Sequence, residues 1–143
     1  LPITKAQTIE SAKPPAPEDK YKHLVGKKIL VVDDIKMNYD YFKSVLKKTP
    51  FELIWVNNAG KAVEMCKEDK YDLILMDIHM PGYSGLEAAR MIREFDKEIF
   101  IIGQTAYAME GMEEKCMNAG CNAYMAMPIK PKQILSAITQ NIS

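Results

Sequence analysis

The feature that most restricts the fold of this chain is a change of hydrophobic period, repeated five times. Apolar runs too short for a helix alternate with stretches whose apolar residues recur at helical spacing. Ile29-Leu30-Val31-Val32 is continuous, mostly β-branched and ended by two aspartates, as in a strand buried on both faces. Met37, Tyr41, Phe42, Val45 and Leu46 then follow a helical spacing. Thr49-Pro50 ends that helix, because the residue before proline avoids helical geometry. Phe51 to Val56 is expected as a second strand, Asn57-Asn58 as a turn, and Ala59 to Cys66 as a helix. Leu73-Ile74-Leu75-Met76 is a third buried run, ended by Asp77, and Met80-Pro81-Gly82-Tyr83-Ser84-Gly85 is a loop by its turn residues. Leu86 to Phe95 is expected as helix, Ile99 to Ile102 as strand, and Met109 to Met117 as a weaker helix with Gly111 inside it and Ala119-Gly120 closing it. Cys121 to Met127 is a fifth, less apolar strand, and Pro131 suits the first turn of a last helix through Ile138.

Strands separated by single helices run parallel, with right-handed crossovers and helices on both faces of the sheet. In such sheets the working site lies outside the C-terminal strand ends, where the strand order reverses. The first strand ends in Asp33-Asp34, the third in Asp77, the fourth in Thr105 and the fifth in Met127-Pro128. One acidic strand end is ordinarily a helix cap or a solvated turn, and Asp34 has that alternative. Three at one sheet end repel one another unless a cation intervenes. Hard oxygen ligands of this kind suit Mg²⁺.

Charge and composition exclude other classes. Nineteen basic and nineteen acidic residues cancel, which argues against nucleic acid as a partner. No apolar run approaches the ~20 residues that span a bilayer, and no signal peptide is visible. Cys66, Cys116 and Cys121 lack CxxC spacing and read as buried thiols of a reducing compartment. Residues 1–26 read as a linker, since Thr4 to about Lys22 is polar and carries Pro14, Pro15 and Pro17, and residues 27–143 as the globular domain.

The motifs resemble those of two-component response-regulator receiver domains. Val32-Asp33-Asp34 with Asn38 is similar to their opening motif, and Leu75 to Gly85 to their phosphoacceptor segment, M-D-x-x-M-P-x-x-x-G. Gln104-Thr105-Ala106 resembles the segment of their signalling Thr, and Gly120 to Ile129 their last strand and loop. The resemblance implies a flavodoxin-like (βα)5 fold, a doubly wound parallel sheet of strand order 2-1-3-4-5. It implies Asp77 as phosphoacceptor and Thr105 as its catalytic hydrogen-bonding partner. Asp33, Asp34, Asp77 and the backbone carbonyl of His79 would form the Mg²⁺ site, and Tyr124 would be the switch residue. The partner would be a histidine kinase or phosphotransfer domain carrying phosphohistidine, with a homodimer left open. The chemistry agrees, because carboxylates act as covalent phosphoryl acceptors and a metal with positioned donors stabilises the transferring group.

One position departs from the pattern. Receivers place a Lys before the Pro of the last loop, and here Met127 stands there, while Lys130 is expected to face solvent. A weakly responsive receiver, a pseudo-receiver acting through binding alone and an engineered substitution all stay open. His79 reads as a loop side chain, Trp55 as packing, and Tyr107 as a residue that tunes water access. Leu1-Pro2-Ile3 resembles the closing tripeptide of histidine-kinase ATPase domains, which suggests the receiver of a hybrid kinase. Such a domain is cytoplasmic, its parent protein anchored in the inner membrane. A dehalogenase-like phosphatase is disfavoured by His79, which stands where a second Asp is needed, and a flavin module by the carboxylates after the first strand.

Overall fold

A computed structural model describes residues 19–80 and 84–142. Five parallel strands form one sheet in the order β2-β1-β3-β4-β5. They are β1 (Lys28–Val32), β2 (Glu52–Val56), β3 (Leu73–Asp77), β4 (Phe100–Thr105) and β5 (Ala123–Ala126). Helices α1 (Lys36–Val45), α2 (Ala59–Glu68), α3 (Gly85–Phe95), α4 (Met112–Asn118) and α5 (Pro131–Asn141) alternate with them. This is the flavodoxin-like topology the alternation and motifs predict. The order reverses beside β1, which therefore borders the crevice where such sheets bind ligands.

Alternation along the strands divides the core into two layers. Leu30, Val32, Ile74 and Met76 pack with Val63 of α2, Ile92 of α3 and Cys116 of α4. Ile29, Val31, Leu73 and Leu75 pack on the other face with Phe42 of α1 and with Ile134 and Ile138 of α5. Every residue of β3 is buried, so its apolar run has no polar face. Caps set several helix starts. The Asn58 side chain accepts from the Lys61 amide over 2.7 Å. Ser84 and Glu87 form a reciprocal capping box at α3.

Four expectations shift. Packed structure is present before residue 27, since Asp19–Leu24 forms a 3-10 helix and Leu24 is fully buried in the α1/α5 layer. Its apolar side chain, at the end of a polar stretch, has a core to enter once α1 and α5 are packed. Gly111 lies outside α4 rather than inside it, because its φ of +81° cannot continue a right-handed helix. β4 runs past the apolar run to Thr105, the strand end named above, with Gln104 paired on both sides and Thr105 on the β5 side. β5 is shorter than expected, because Cys121 and Asn122 serve the turn before it. Residues 1–18 and the loop positions Pro81, Gly82 and Tyr83 lie outside the described residues.

Candidate functional site

Strand register builds the site. Val32 pairs with Met76, so the next residues, Asp33 just past β1 and Asp77 at the end of β3, stand side by side. Asp77 pairs with Gln104. The Met127 amide donates to the Thr105 carbonyl over 2.8 Å, bringing the fifth strand's end to the same place. The resulting cleft of about 170 Å³ is lined by Asp33, Asp34, Asn38, Asp77, His79, Gln104, Thr105, Tyr107 and Met127, among others. One oxygen from each of Asp33, Asp34 and Asp77 lies within 4.8 Å of the others.

Asp34 is exposed and does not cap α1, whose N-cap is Ile35 without a side-chain hydrogen bond. The capping alternative therefore falls, and its carboxylate remains turned to the cluster. Asp33 is buried and anchored. It accepts from the Ile35 amide over 2.9 Å, from Asn38 Nδ2 at 3.1 and 3.2 Å, and from Gln104 Nε2 at 3.4 Å. Trp55 Nε1 donates to the Asp33 carbonyl over 2.9 Å, and its ring stacks on Tyr39. Asp77 accepts from the His79 amide over 2.9 Å. Gly85 starts α3 directly against this segment, where a Cβ would lie 2.2 Å from the Asp77 carbonyl oxygen.

The electrostatics are those of acids without a counter-charge. Burial pushes the Asp77 carboxyl up to about 7, and the neighbouring charges of Asp33 and Asp34 push the same way against the His79 amide. Burial also raises Asp33, partly offset by Ile35 and Asn38. Two like charges ~4 Å apart repel by roughly 4 kcal/mol at an effective dielectric of ~20. A hard divalent cation matches this donor set, since it removes the repulsion and takes carboxylate oxygens directly.

The remaining expected residues divide. Thr105 is buried in the cleft, and its Oγ1 accepts from the Tyr107 amide over 2.9 Å. His79 lines the cleft edge-on to Tyr107, with a buried Nε2 that has no hydrogen-bond partner. Tyr107 is 68% exposed and lines the cleft. Met127 reaches the cleft, whereas Lys130 is exposed and outside its lining. Tyr124 is not part of the lining either. It packs into the α2–α4 layer, and its buried hydroxyl lacks a partner. Gln104 and Asn38 join the site through their hydrogen bonds to Asp33, bonds that no sequence motif marks. A buried polar residue following the apolar run of β4 was the available signal for Gln104.

Comparison with known proteins agrees with this geometry. Residues 29–139 match the response regulator receiver domain family. The chain belongs to that family. It is 34% identical over 114 residues to the polar-differentiation response regulator DivK of Brucella anthropi, covering 78% of this chain and 93% of that one. It is 38% identical over 128 residues to hybrid signal transduction histidine kinase I of Dictyostelium discoideum, covering 83% of this chain but 7% of that protein. The receiver domain of sensor histidine kinase PA1611 from Pseudomonas aeruginosa PAO1, solved with magnesium in its active site cleft, superposes with a TM-score of 0.75 at 31% identity. That match covers 82% of this receiver and 98% of PA1611's. Family and fold give the domain a phosphoacceptor role in two-component signalling. No described helix is long and apolar enough to cross a membrane.

Proposed function

We propose that Asp77 accepts a phosphoryl group from the phosphohistidine of a histidine kinase or phosphotransfer domain. The observation that carries this reading is the convergence of three carboxylates, with oxygens within 4.8 Å, around a buried Asp77. Asp33, Asp34, Asp77 and the His79 main-chain carbonyl would hold Mg²⁺. When bound, it supplies the positive charge that keeps Asp77 ionised and neutralises phosphoryl oxygens. Asp77 attacks phosphorus through a carboxylate oxygen, the P–N bond breaks, and the imidazole leaves with its electron pair and a proton from water. The Thr105 hydroxyl donates to a phosphoryl oxygen, releasing the Tyr107 amide. Tyr124, on the neighbouring strand, follows Thr105 when that bond forms. The relatives among sensor and hybrid histidine kinases support a receiver that belongs to a kinase of that type.

Met127 favours a second reading, in which the domain binds partners but is poorly activated by phosphate. A thioether offers no positive charge where the cleft meets the incoming anion. One experiment separates the two. The chain is incubated with Mg²⁺ and a phosphorylated kinase or phosphotransfer domain, and Asp77 is examined for phosphate by mass spectrometry, with Asp77→Ala as control. Labelling of Asp77 alone supports the first reading. Absence of label beside a receiver that labels normally overturns it in favour of the second.

A further inference from the structure

The turn between α4 and β5 holds two thiols that the acidic cleft does not use. Gly120 adopts a φ of +112°. Its amide donates to the Met117 carbonyl over 3.1 Å, and the Cys121 amide to the Cys116 carbonyl over 3.2 Å. These two bonds are a Schellman helix ending, which sets the side chain three from the helix end against the one two past the cap. Here those side chains are Cys116 and Cys121. An aliphatic pair at these positions is ordinary packing, whereas two thiols add chemistry.

Both cysteines are buried, and each thiol shifts the ionisation of the other. A Cβ on Gly103 of β4 would lie 2.2 Å from Cys116 Sγ and 3.3 Å from Cys121 Sγ, so both sulfurs converge on one strand glycine. Arg93 of α3 clamps the turn from outside. Its Nε donates to the Gly120 carbonyl over 2.8 Å and its Nη2 to Asn122 Oδ1 over 2.5 Å. The proximity of the two thiols lowers Cys116 from its ordinary range and raises Cys121, which favours Cys116 as the nucleophile. Cys116 is fully buried and Cys121 5% exposed, so the oxidant that reaches them is one little larger than water.

We propose that Cys116 and Cys121 form a reversible disulfide, a redox-modification site separate from the acidic cleft, with hydrogen peroxide as the oxidant. The Cys116 thiolate attacks a peroxide oxygen and the O–O bond breaks. The departing hydroxide takes the proton Cys116 gave up, leaving water and a sulfenic acid. Cys121 sulfur attacks the sulfenic sulfur, the S–O bond breaks, and the second hydroxide leaves with the Cys121 proton. Two thiols are oxidised to one disulfide, and one peroxide is reduced to two waters. Gly103 pairs with Tyr124 and precedes Gln104 and Thr105 in the chain, so the bond forms directly beneath the end of β4.

The test needs the native chain alone. After treatment with hydrogen peroxide and quenching, it is denatured, alkylated and digested with trypsin, which leaves both cysteines on one peptide starting at Cys116. The expected peptide carries no alkyl group and is two hydrogens lighter, and a reductant before alkylation restores two alkyl groups. Methionine oxidation adds mass and does not mimic this signature. In Cys121→Ala the same treatment is expected to leave a Cys116 sulfenic acid that a cyclic dicarbonyl traps. A wild-type peptide that remains doubly alkylated overturns the proposal, as does a sulfinic acid in place of the bridge. The wild-type result decides even if the variant fails to fold.

Discussion

The Met127 amide donates to the Thr105 carbonyl over 2.8 Å, and this bond carries a thioether into a cleft that already holds three carboxylates. β5 thus delivers its next residue to the acidic cluster whatever its side chain is. Met127→Lys is expected to raise the rate of Asp77 labelling by a small phosphodonor by ~10-fold or more. An ammonium ~4 Å from a charge contributes up to roughly 4 kcal/mol at an effective dielectric of ~20, part of which desolvation removes. Equal labelling of both proteins, followed by mass spectrometry over time with Mg²⁺ present, would show that the missing charge is immaterial.

Asp77→Asn is expected to stabilise the metal-free domain at pH 8 by about 2 kcal/mol, while abolishing labelling. The buried carboxylate is costly in the folded state because burial and two acidic neighbours oppose its charge. An amide of the same shape has no charge to bury. Urea midpoints in chelator measure the difference, and Mg²⁺ is expected to shrink it by stabilising only the wild type.

The pH dependence follows from the same group. Asp77 ionises near 3.8 when unfolded and about 7 when folded. Between these values the folded chain binds more protons than the unfolded one, so stability falls as pH rises through the window and levels off above it. Thermal melts in chelator from pH 4 to 8 are expected to trace that decline, and Asp77→Asn to flatten it.

Gly85→Ala is expected to cost at least ~2 kcal/mol and to slow labelling. Its Cβ would lie 2.2 Å from the Asp77 carbonyl oxygen, backbone that has no free end to swing away. A melt and a labelling time course read the two effects.

Leu24→Ala is expected to destabilise the domain by ~2–4 kcal/mol, as for a buried leucine anywhere in a core. A change under ~0.5 kcal/mol in urea titration would mean that the segment before β1 only rests on the surface.

Much of this was legible in the residues. Ile29 to Val32 and Leu73 to Met76 are apolar at every position, which only strands covered on both faces explain, and their terminal aspartates pointed to one sheet end. Local chemistry also marked Gly120, whose left-handed turn ends α4 where the sequence placed the end. Other features were hidden because they depend on distant partners. Leu24 sits in a polar stretch and enters the core only because α1 and α5 leave room for it. Gln104 looked like a strand residue until the pairing of β3 with β4 set it opposite Asp77 and near Asp33. Trp55 was read as packing, and it does stack on Tyr39, but its donation to the Asp33 carbonyl runs from β2 to the end of neighbouring β1.

By itself, then, the sequence determined the alternation of strands and helices, and with it the sheet end at which Asp33, Asp34 and Asp77 emerge, because period and side-chain polarity are local properties. The tertiary structure alone decided how close those carboxylates stand and how far burial raises Asp77. It also decided that Gln104 stands opposite Asp77 and within reach of Asp33. Those outcomes rest on strand register and on packing between residues far apart in the chain, where a few ångströms separate a shared cleft from unrelated loops.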